Sequence, residues 1–357
     1  MSHPTITTND IIEVLRRDLL AGNKKPPMLL AYYGIGKSMQ TAKFASEYHM
    51  HYIDYRAAYK TFNDVRGYGI PDRESNTMRF LMDEDWDFAT DKPNCLHLEE
   101  LLNASTAVQK VLMQATLDRR IGKFHFPEDT FICASSNKLA HKTGVERMLA
   151  ALADRFSIFH VDPDLDGYMN YLADNGRSPE VFAFLSSNPS APYDFDIKKW
   201  DNESNLPTFR SFDRLDELVA TYSSGAEAAR DRLFKAQACS KVGPKWGEQF
   251  AQFIKLTSTI GDVDKMLSEA DTCKIPNEPD IKWLIACRSI TLATPENLEQ
   301  VLLLAHRLTD SKLDTPDTLQ PMESFVGSSL RRRKKDLLRS KAMISWQLKH
   351  ADELSTI

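Results

Sequence analysis

Apolar and polar residues follow two different periods along the first half of this chain. Residues 9–21 repeat apolar positions three and four apart, which is typical of an amphipathic helix that ends at Gly22. Later apolar segments are short and have the length of buried strands. Helical patterns such as Ala104–Leu117 and Val145–Ala153 lie between them. The predicted strands are Met28–Ala31, Tyr52–Tyr55, Asn94–Leu98, Thr130–Ala134 and Phe156–Val161.

Strands that alternate with helices predict a parallel sheet with helices on both faces, which is an α/β fold. The pattern fails between Thr61 and Thr90, where a glycine-rich stretch precedes an acidic one, and we expect an irregular functional insertion there. After Asp164 no strand pattern appears and prolines interrupt short helical runs, so the second half is predicted to be helical. The predicted domains are a large α/β domain over 1–163, a small helical lid over 164–222 and a helical C-terminal extension over 223–357.

The turn after the first predicted strand contains two glycines, a lysine and a serine, and a helical pattern over Lys37–Tyr48 follows it. The glycines let the backbone curl so that its N–H groups face a phosphate, Lys37 can reach the β and γ oxygens, and Ser38 can bind Mg²⁺. The usual pattern has glycine where this chain has Ala31, and an ordinary glycine turn is the alternative interpretation. The residues predicted to hold a nucleotide are Gly34, Ile35, Gly36, Lys37, Ser38 and Met39.

Two consecutive carboxylates, Glu99 and Glu100, follow the predicted strand Asn94–Leu98. Open α/β sheets bind ligands at the carboxyl ends of their strands, so both side chains are expected at the nucleotide. We predict that Glu99 holds Mg²⁺ together with Ser38, and that Glu100 is the general base that polarises the attacking water. His97 is predicted to pack against its neighbours or to form hydrogen bonds.

Further polar residues stand at the ends of predicted elements. Asn137 ends a strand and is predicted to position water or the γ-phosphate, with the start of a loop as the alternative. Arg155 joins a helix to the last strand and is either a surface residue or an arginine finger for a neighbouring subunit. The basic run Arg331–Lys335 is interpreted first as an exposed helix face and second as a contact with an anionic partner.

Composition narrows the classes of protein that fit. The chain has 357 residues, 42% of them hydrophobic, and a net charge of −5, so no overall field favours nucleic acid or an anionic membrane. The cysteines are scattered and odd in number, which predicts reduced thiols rather than disulfides or structural zinc. The first residues are polar and no run of about 18 apolar residues occurs, so we expect a cytoplasmic protein without a membrane contact. The cysteines are Cys95, Cys133, Cys239, Cys273 and Cys287.

These motifs resemble those of the AAA+ superfamily, and within it the MoxR-like ATPases, notably the variants found in phage and bacterial gene clusters. Their order and spacing cover about residues 10–220, and the later part resembles the helical extension of the same group less sharply. The matching stretches are Gly34-Ile-Gly-Lys-Ser, Asp64-Val-Arg-Gly, Leu98-Glu-Glu-Leu-Leu-Asn-Ala, Leu117-Asp-Arg-Arg-Ile-Gly, Ala134-Ser-Ser-Asn-Lys, Leu152-Ala-Asp-Arg-Phe and Pro207-Thr-Phe-Arg-Ser-Phe.

The resemblance implies an ATPase that uses ATP and Mg²⁺ and works as a ring, a hexamer in this family. It implies a protein client and a partner with a von Willebrand factor A domain. A pore loop would fall at Asp64–Arg79, where Tyr68 is a candidate for gripping a threaded partner, with packing against the domain as the alternative. For Arg210 a helix-start arginine without a site role is the alternative. The implied roles are Walker A for Gly36, Lys37 and Ser38, Walker B for Glu99 and Glu100, sensor 1 for Asn137, the finger for Arg155, and sensor 2 for Arg210.

Two departures from the family pattern, Ala31 for glycine and Glu99 for aspartate, are compatible with nucleotide binding and with slow hydrolysis. They favour an alternative in which the chain is an ATP-gated oligomeric scaffold that recruits a partner but turns over little ATP. A third interpretation, an ATPase that depends on nucleic acid, rests on Arg331–Lys335 alone and ranks below the other two, so nucleic acid is not expected as a partner.

Overall fold

A computed structural model describes residues 4–138, 150–175, 177–201, 203–223, 225–257, 263–309, 321–333 and 335–351. Contacts between residues divide the chain into two compact units. The separation of a lid over 164–222 from an extension over 223–357 stays a prediction. The two units are Met1–Asp164 with Ile197–Lys199, and Leu165–Asp196 with Trp200–Ile357.

A six-stranded sheet forms the centre of the first unit, and all neighbouring strands in it are parallel. The strands described in this unit are β1 (Thr5–Thr7), β2 (Pro27–Ala31), β3 (His51–Arg56), β4 (Tyr68–Asp72), β5 (Thr77–Leu81), β6 (Asn94–Glu99), β7 (Arg120–Ile121), β8 (Phe124–His125), β9 (Thr130–Asn137) and β10 (Ser157–Asp162). The order across the sheet is β1-β10-β2-β9-β6-β3. The predicted α/β fold with a parallel sheet is therefore confirmed.

The central strands are buried on both faces, which explains their nearly continuous apolar sequences. In β6 and β9, Leu96, Leu98 and Ile132 are fully buried and belong to one core with Leu112 of the following helix. The sheet has one strand more than the sequence predicts. The additional strand is β1, which is only three residues long and contains two threonines. Such a short edge strand leaves no periodic pattern.

Helices cover the sheet in the first unit. The amphipathic helix predicted over 9–21 is confirmed, although its first turn is a 3₁₀ helix over Thr8–Asp10. Most of the predicted helix Val145–Ala153 lies outside the described residues. The described α-helices of this unit are α1 (Ile11–Leu20), α2 (Lys37–Glu47), α3 (Phe62–Arg66), α4 (Thr106–Asp118) and α5 (Ala150–Ala153).

The stretch between Thr61 and Thr90 is not irregular throughout, which corrects the expectation for this insertion. It contains the short helix α3 and an antiparallel hairpin of β4 and β5. Side chains along both strands are exposed, including Tyr68, Ile70 and Phe80. A hairpin that is bare on both faces has no alternation of buried and exposed positions, so hydrophobic periodicity could not reveal it.

The described part of the second unit is helical, as predicted. Three of its helices are tied together by the buried carboxylate of Glu323, which accepts a hydrogen bond from Trp346 Nε1 at 2.7 Å and lies 2.7 Å from His306 Nδ1. Gly327 lies against the Trp346 ring, which leaves no space for a Cβ atom. The α-helices are α6 (Leu165–Asp174), α7 (Pro179–Ser187), α8 (Phe209–Val219), α9 (Gly225–Arg230), α10 (Phe234–Val242), α11 (Pro244–Thr257), α12 (Val263–Ser268), α13 (Pro279–Leu292), α14 (Leu298–Leu308), α15 (Pro321–Arg333) and α16 (Lys341–Lys349).

All five cysteines are free thiols, as the composition predicts. Four of them are buried, and Cys239 is half-buried. Among the described helices, none has both the length and the apolar composition needed to cross a bilayer.

Candidate nucleotide-binding site

The turn between β2 and α2 has the backbone of an anion-binding loop. Gly34 and Gly36 have φ angles of 70° and 95°, in the left-handed region that favours glycine. The Gln40 N–H donates to the Gly36 carbonyl at 3.0 Å, and the N–H groups in the first turn of a helix generally find their acceptors outside the helix. Ala31 ends β2 and is not among the residues with positive φ, so glycine is not required there.

Lys37 is only 8% exposed, and its ammonium group contacts two oxygens at the carboxyl ends of the strands. Its Nζ donates to the Tyr32 carbonyl at 2.9 Å and to Asn137 Oδ1 at 3.2 Å. Asn137 is the last residue of β9 and stands in register with Ala31 on β2. The pairing of these two strands therefore brings the predicted phosphate lysine and the predicted water-positioning amide together.

Ser38 and Glu99 are in direct contact. The Ser38 hydroxyl donates a hydrogen bond to Glu99 Oε1 across 61 positions of sequence. Glu99 is the last residue of β6, and its side chain is 15% exposed. A hydroxyl and a carboxylate are hard oxygen donors of the kind that Mg²⁺ prefers, and Mg²⁺ usually completes its shell with water and substrate phosphates. These two side chains fit that ion.

A cation and a second carboxylate, both absent from the sequence predictions, stand beside Glu99. Arg56 Nε lies 3.4 Å from Glu99 Oε2 and donates to Asp54 Oδ2 at 3.0 Å. Burial raises the pKa of the Asp54 carboxyl above its usual value; a hydrogen bond to Glu99 and the charge of Glu99 raise it further, while Arg56 lowers it. β3 pairs with β6 so that Arg56 is in register with Glu99, a register that neither strand's own sequence indicates.

Glu100, the predicted general base, follows β6 directly. Its backbone is left-handed, with φ 54° and ψ 35°, and its carbonyl accepts from the Asn103 N–H at 2.9 Å. A glutamate in this conformation is unfavourable by about 1–3 kcal/mol, and such residues cluster at functional sites. The side chain is half-buried.

His97 is fully buried and hydrogen-bonded, which confirms its predicted packing role. Its Nδ1 lies 2.8 Å from the Tyr52 hydroxyl, and its Nε2 lies 2.9 Å from Ser135 Oγ. Burial lowers the pKa of His97 to about 4, because the charged ring would lose its hydration. His97 is therefore neutral in the folded protein at pH 7.

Acid is expected to destabilise the protein through His97. The unfolded chain binds a proton near pH 6.5, whereas the buried ring resists protonation down to about pH 4, so stability falls as the pH is lowered between these values. The expected loss is up to about 3 kcal/mol. Urea unfolding at pH 7 and pH 4.5 tests this: the decrease should be smaller in His97→Gln and unchanged in His125→Gln, an exposed control. Equal decreases in wild type and His97→Gln would contradict it.

Arg155 lies between α5 and β10, where the sequence places it. Its guanidinium donates to the Ala151 carbonyl of the preceding helix, α5. Its Nε is buried and lacks a hydrogen-bond partner among the residues that the structure describes. A buried unsatisfied nitrogen of this kind costs about 1–3 kcal/mol.

Arg210 belongs to the second unit. It is exposed and is the second residue of α8, whose N-cap is Thr208. Of the basic run Arg331–Lys335, the first three residues end α15, and the side chains of the run lie outside the described residues. Ile35 is buried under the turn and Met39 is exposed on the first turn of α2.

No group of three or more His, Cys, Asp or Glu side chains within the described ranges is arranged to hold a metal ion. An ion carried by a nucleotide does not need one, because one hydroxyl and one carboxylate suffice when phosphate oxygens and water supply the other positions. The donor set at Ser38 and Glu99 therefore suits a magnesium–nucleotide complex better than a metal cage made by protein alone.

Neither a protein-family model nor a curated protein matches this chain. Among solved structures, a point mutant of RuvB from Thermotoga maritima is 13% identical with a TM-score of 0.36, over 75% of this chain and 77% of that one. NtrX of Brucella abortus in complex with ATP is 14% identical with a TM-score of 0.36, over 62% and 54%. A Cytophaga hutchinsonii protein described as a candidate ATPase is 12% identical with a TM-score of 0.34, over 92% and 90%. Because these TM-scores are low, none of the likenesses carries an argument about function.

Proposed function

We propose that this chain is a MoxR-like AAA+ ATPase, which binds ATP with Mg²⁺ in a ring of subunits and hydrolyses it to remodel or assemble a protein client. The contact between Ser38 and Glu99 supports this most directly, because two separate motifs each predict a magnesium ligand and the fold brings both together. The contact between Lys37 and Asn137 adds a phosphate-binding cation and a polar amide at the same edge of the sheet.

Each of these side chains has a distinct task in phosphoryl transfer. The Lys37 ammonium and the N-terminal N–H groups of α2 hold phosphate oxygens. Mg²⁺, when bound by Ser38 and Glu99, neutralises charge on the phosphates. Glu100 accepts a proton from the attacking water, and Asn137 orients that water or the γ-phosphate. Arg155 acts on the site of the adjacent subunit, and Arg210 takes the sensor 2 role that the family resemblance implies.

The ring follows from the role assigned to Arg155, because a site completed by a neighbour's arginine exists only at a subunit interface. By family resemblance we propose a hexamer and a von Willebrand factor A partner. Tyr68, on the exposed hairpin, donates to Asp64 Oδ1 at 2.8 Å and keeps half of its surface accessible. It is our candidate for contact with the client, as part of the loop Asp64–Arg79.

An ATP-gated scaffold with little turnover is the second candidate function. Glu99 in place of aspartate favours it, because a longer side chain holds a metal with more freedom. In this case ATP would drive assembly and recruit a partner, and hydrolysis would be too slow to move a client.

Phosphate release and assembly, measured together, distinguish the two functions. The ATPase predicts steady phosphate release that rises as subunits assemble with ATP, and the scaffold predicts assembly without release. Both predict that Lys37→Ala weakens ATP binding at least about tenfold, since a charge-assisted contact to phosphate is lost. Exposed Lys123→Ala is the control. Wild-type protein that neither binds nor hydrolyses ATP would contradict both functions.

A further inference from the structure

Glu99 is longer than the aspartate usual at its position. The additional methylene adds a rotatable bond, so the carboxylate of an isolated Glu99 could adopt more positions than that of aspartate. It nevertheless reaches Ser38, and its side chain is mostly buried. A neighbouring group that fixes the carboxylate would offset this added freedom.

Arg56 is arranged to do this. The two oxygens of Glu99 face different partners: Oε1 accepts from Ser38, and Oε2 lies 3.4 Å from Arg56 Nε. The guanidinium is itself fixed, because its Nε and Nη2 both donate to Asp54 Oδ2 at 3.0 Å. Arg56 and Asp54 both belong to β3, and Arg56 is in register with Glu99 on β6, so the sheet sets the spacing of this cluster.

The charges of the cluster are consistent with a metal next to it. Arg56 alone would cancel the negative charge of Glu99 and oppose a divalent cation. The carboxyl of Asp54 lies on the same guanidinium and compensates its charge. Asp54 thus allows the Arg56 cation to lie beside Glu99 without removing the attraction of Glu99 for Mg²⁺.

We propose that Arg56, held by Asp54, is a positioning residue that fixes the Glu99 carboxylate, occupying Oε2 and leaving Oε1 on the side of Ser38 for Mg²⁺. This inference rests on the proposed function. Groups that orient metal ligands in this way commonly contribute about 10- to 100-fold to metal affinity. If Arg56 instead competed with the ion for Glu99, its removal would tighten Mg²⁺ binding, so the two roles predict changes of opposite sign.

Binding of a fluorescent ATP analogue, N-methylanthraniloyl-ATP, tests the proposal at increasing Mg²⁺ and in EDTA. Arg56→Ala is expected to raise the Mg²⁺ concentration that gives half-maximal analogue binding about tenfold or more. Binding of the analogue in EDTA, without the metal, should change less. Arg56→Lys should recover part of the loss, since it restores a cation opposite Oε2. Arg17→Ala is the matched control, because it removes an exposed arginine that is paired with Glu13 instead.

The background Glu99→Gln shows whether Arg56 acts through Glu99. There the amide already weakens the metal site, and the further change Arg56→Ala is expected to have little additional effect. Thermal unfolding of each variant identifies any loss of fold. A midpoint for Mg²⁺ that stays the same or decreases in folded Arg56→Ala would overturn the positioning role and leave the ATPase intact. Wild-type protein that binds no analogue at any Mg²⁺ concentration would overturn the proposed function and this inference with it.

Discussion

Exchange of Glu100 for glutamine is expected to lower the ATP turnover number about 100-fold or more while nucleotide remains bound. Glu100 follows β6 directly, so its backbone lies at the carboxyl end of a strand that is parallel to β9, which Asn137 ends. Glutamine has nearly the same size but cannot take up the proton of the attacking water. Residue 100 keeps a side chain of the same shape at its left-handed backbone position, so the variant removes only the proton-accepting group.

Phosphate release and analogue binding on the same preparation measure this effect. Glu128→Gln, which alters an exposed carboxylate of the same unit, should keep wild-type turnover. Turnover that is unchanged in Glu100→Gln would exclude Glu100 as the base. The trapped variant has a second use, because protein arrested with bound ATP should retain its client and a von Willebrand factor A partner in a pull-down.

Substitution of Arg155 by alanine is expected to lower turnover at least about 1000-fold, as the loss of an arginine finger does in other phosphoryl-transfer enzymes. The contact of Arg155 with the Ala151 carbonyl of α5 uses only part of the guanidinium, and Nε has no partner in the described part of the chain. A phosphate on an adjacent subunit would supply an acceptor. Binding of ATP to Arg155→Ala should change far less than turnover, since the turn between β2 and α2 of the same subunit is intact.

Mixing two inactive variants distinguishes a shared site from one contained in a single subunit. Arg155→Ala subunits have an intact Glu100, and Glu100→Gln subunits have an intact Arg155. In a mixed ring, an interface between the two kinds, in the productive order, combines both groups, so activity should reappear. If equal mixtures stay inactive although co-assembly is verified, Arg155 has a structural role within its own subunit instead. Arg120→Ala, an arginine paired with Asp118, is the control.

Local motifs allowed part of the site to be predicted from sequence. Gly36, Lys37 and Ser38 follow one another in the chain, and positive φ at Gly36 is a demand that glycine alone meets without strain. The placement of Glu99 at a strand end follows from an apolar run that stops at a carboxylate. In both cases the information is contained within about ten residues, and the period of the pattern identifies the element.

The residues missed by the sequence analysis depend on contacts between distant segments. Arg56 and Asp54 lie at the end of a strand with no chemical motif, and only the register of β3 against β6 places them beside Glu99. The β4–β5 hairpin was missed because both of its faces are exposed. A turn signal was present in its sequence, however: Asp72 accepts backbone N–H groups from Glu74 and Ser75, and Asn76 has φ 50°.

The strand order has a consequence for the time at which the site can form during synthesis. β2, which precedes the glycine turn, pairs only with β9 and β10 among the described strands, and these begin at Thr130 and Ser157. A nascent chain therefore exposes its phosphate loop long before any neighbouring strand exists to hold it. Under the proposed function, ATP would stabilise the folded state only of a chain that extends at least through Asn137.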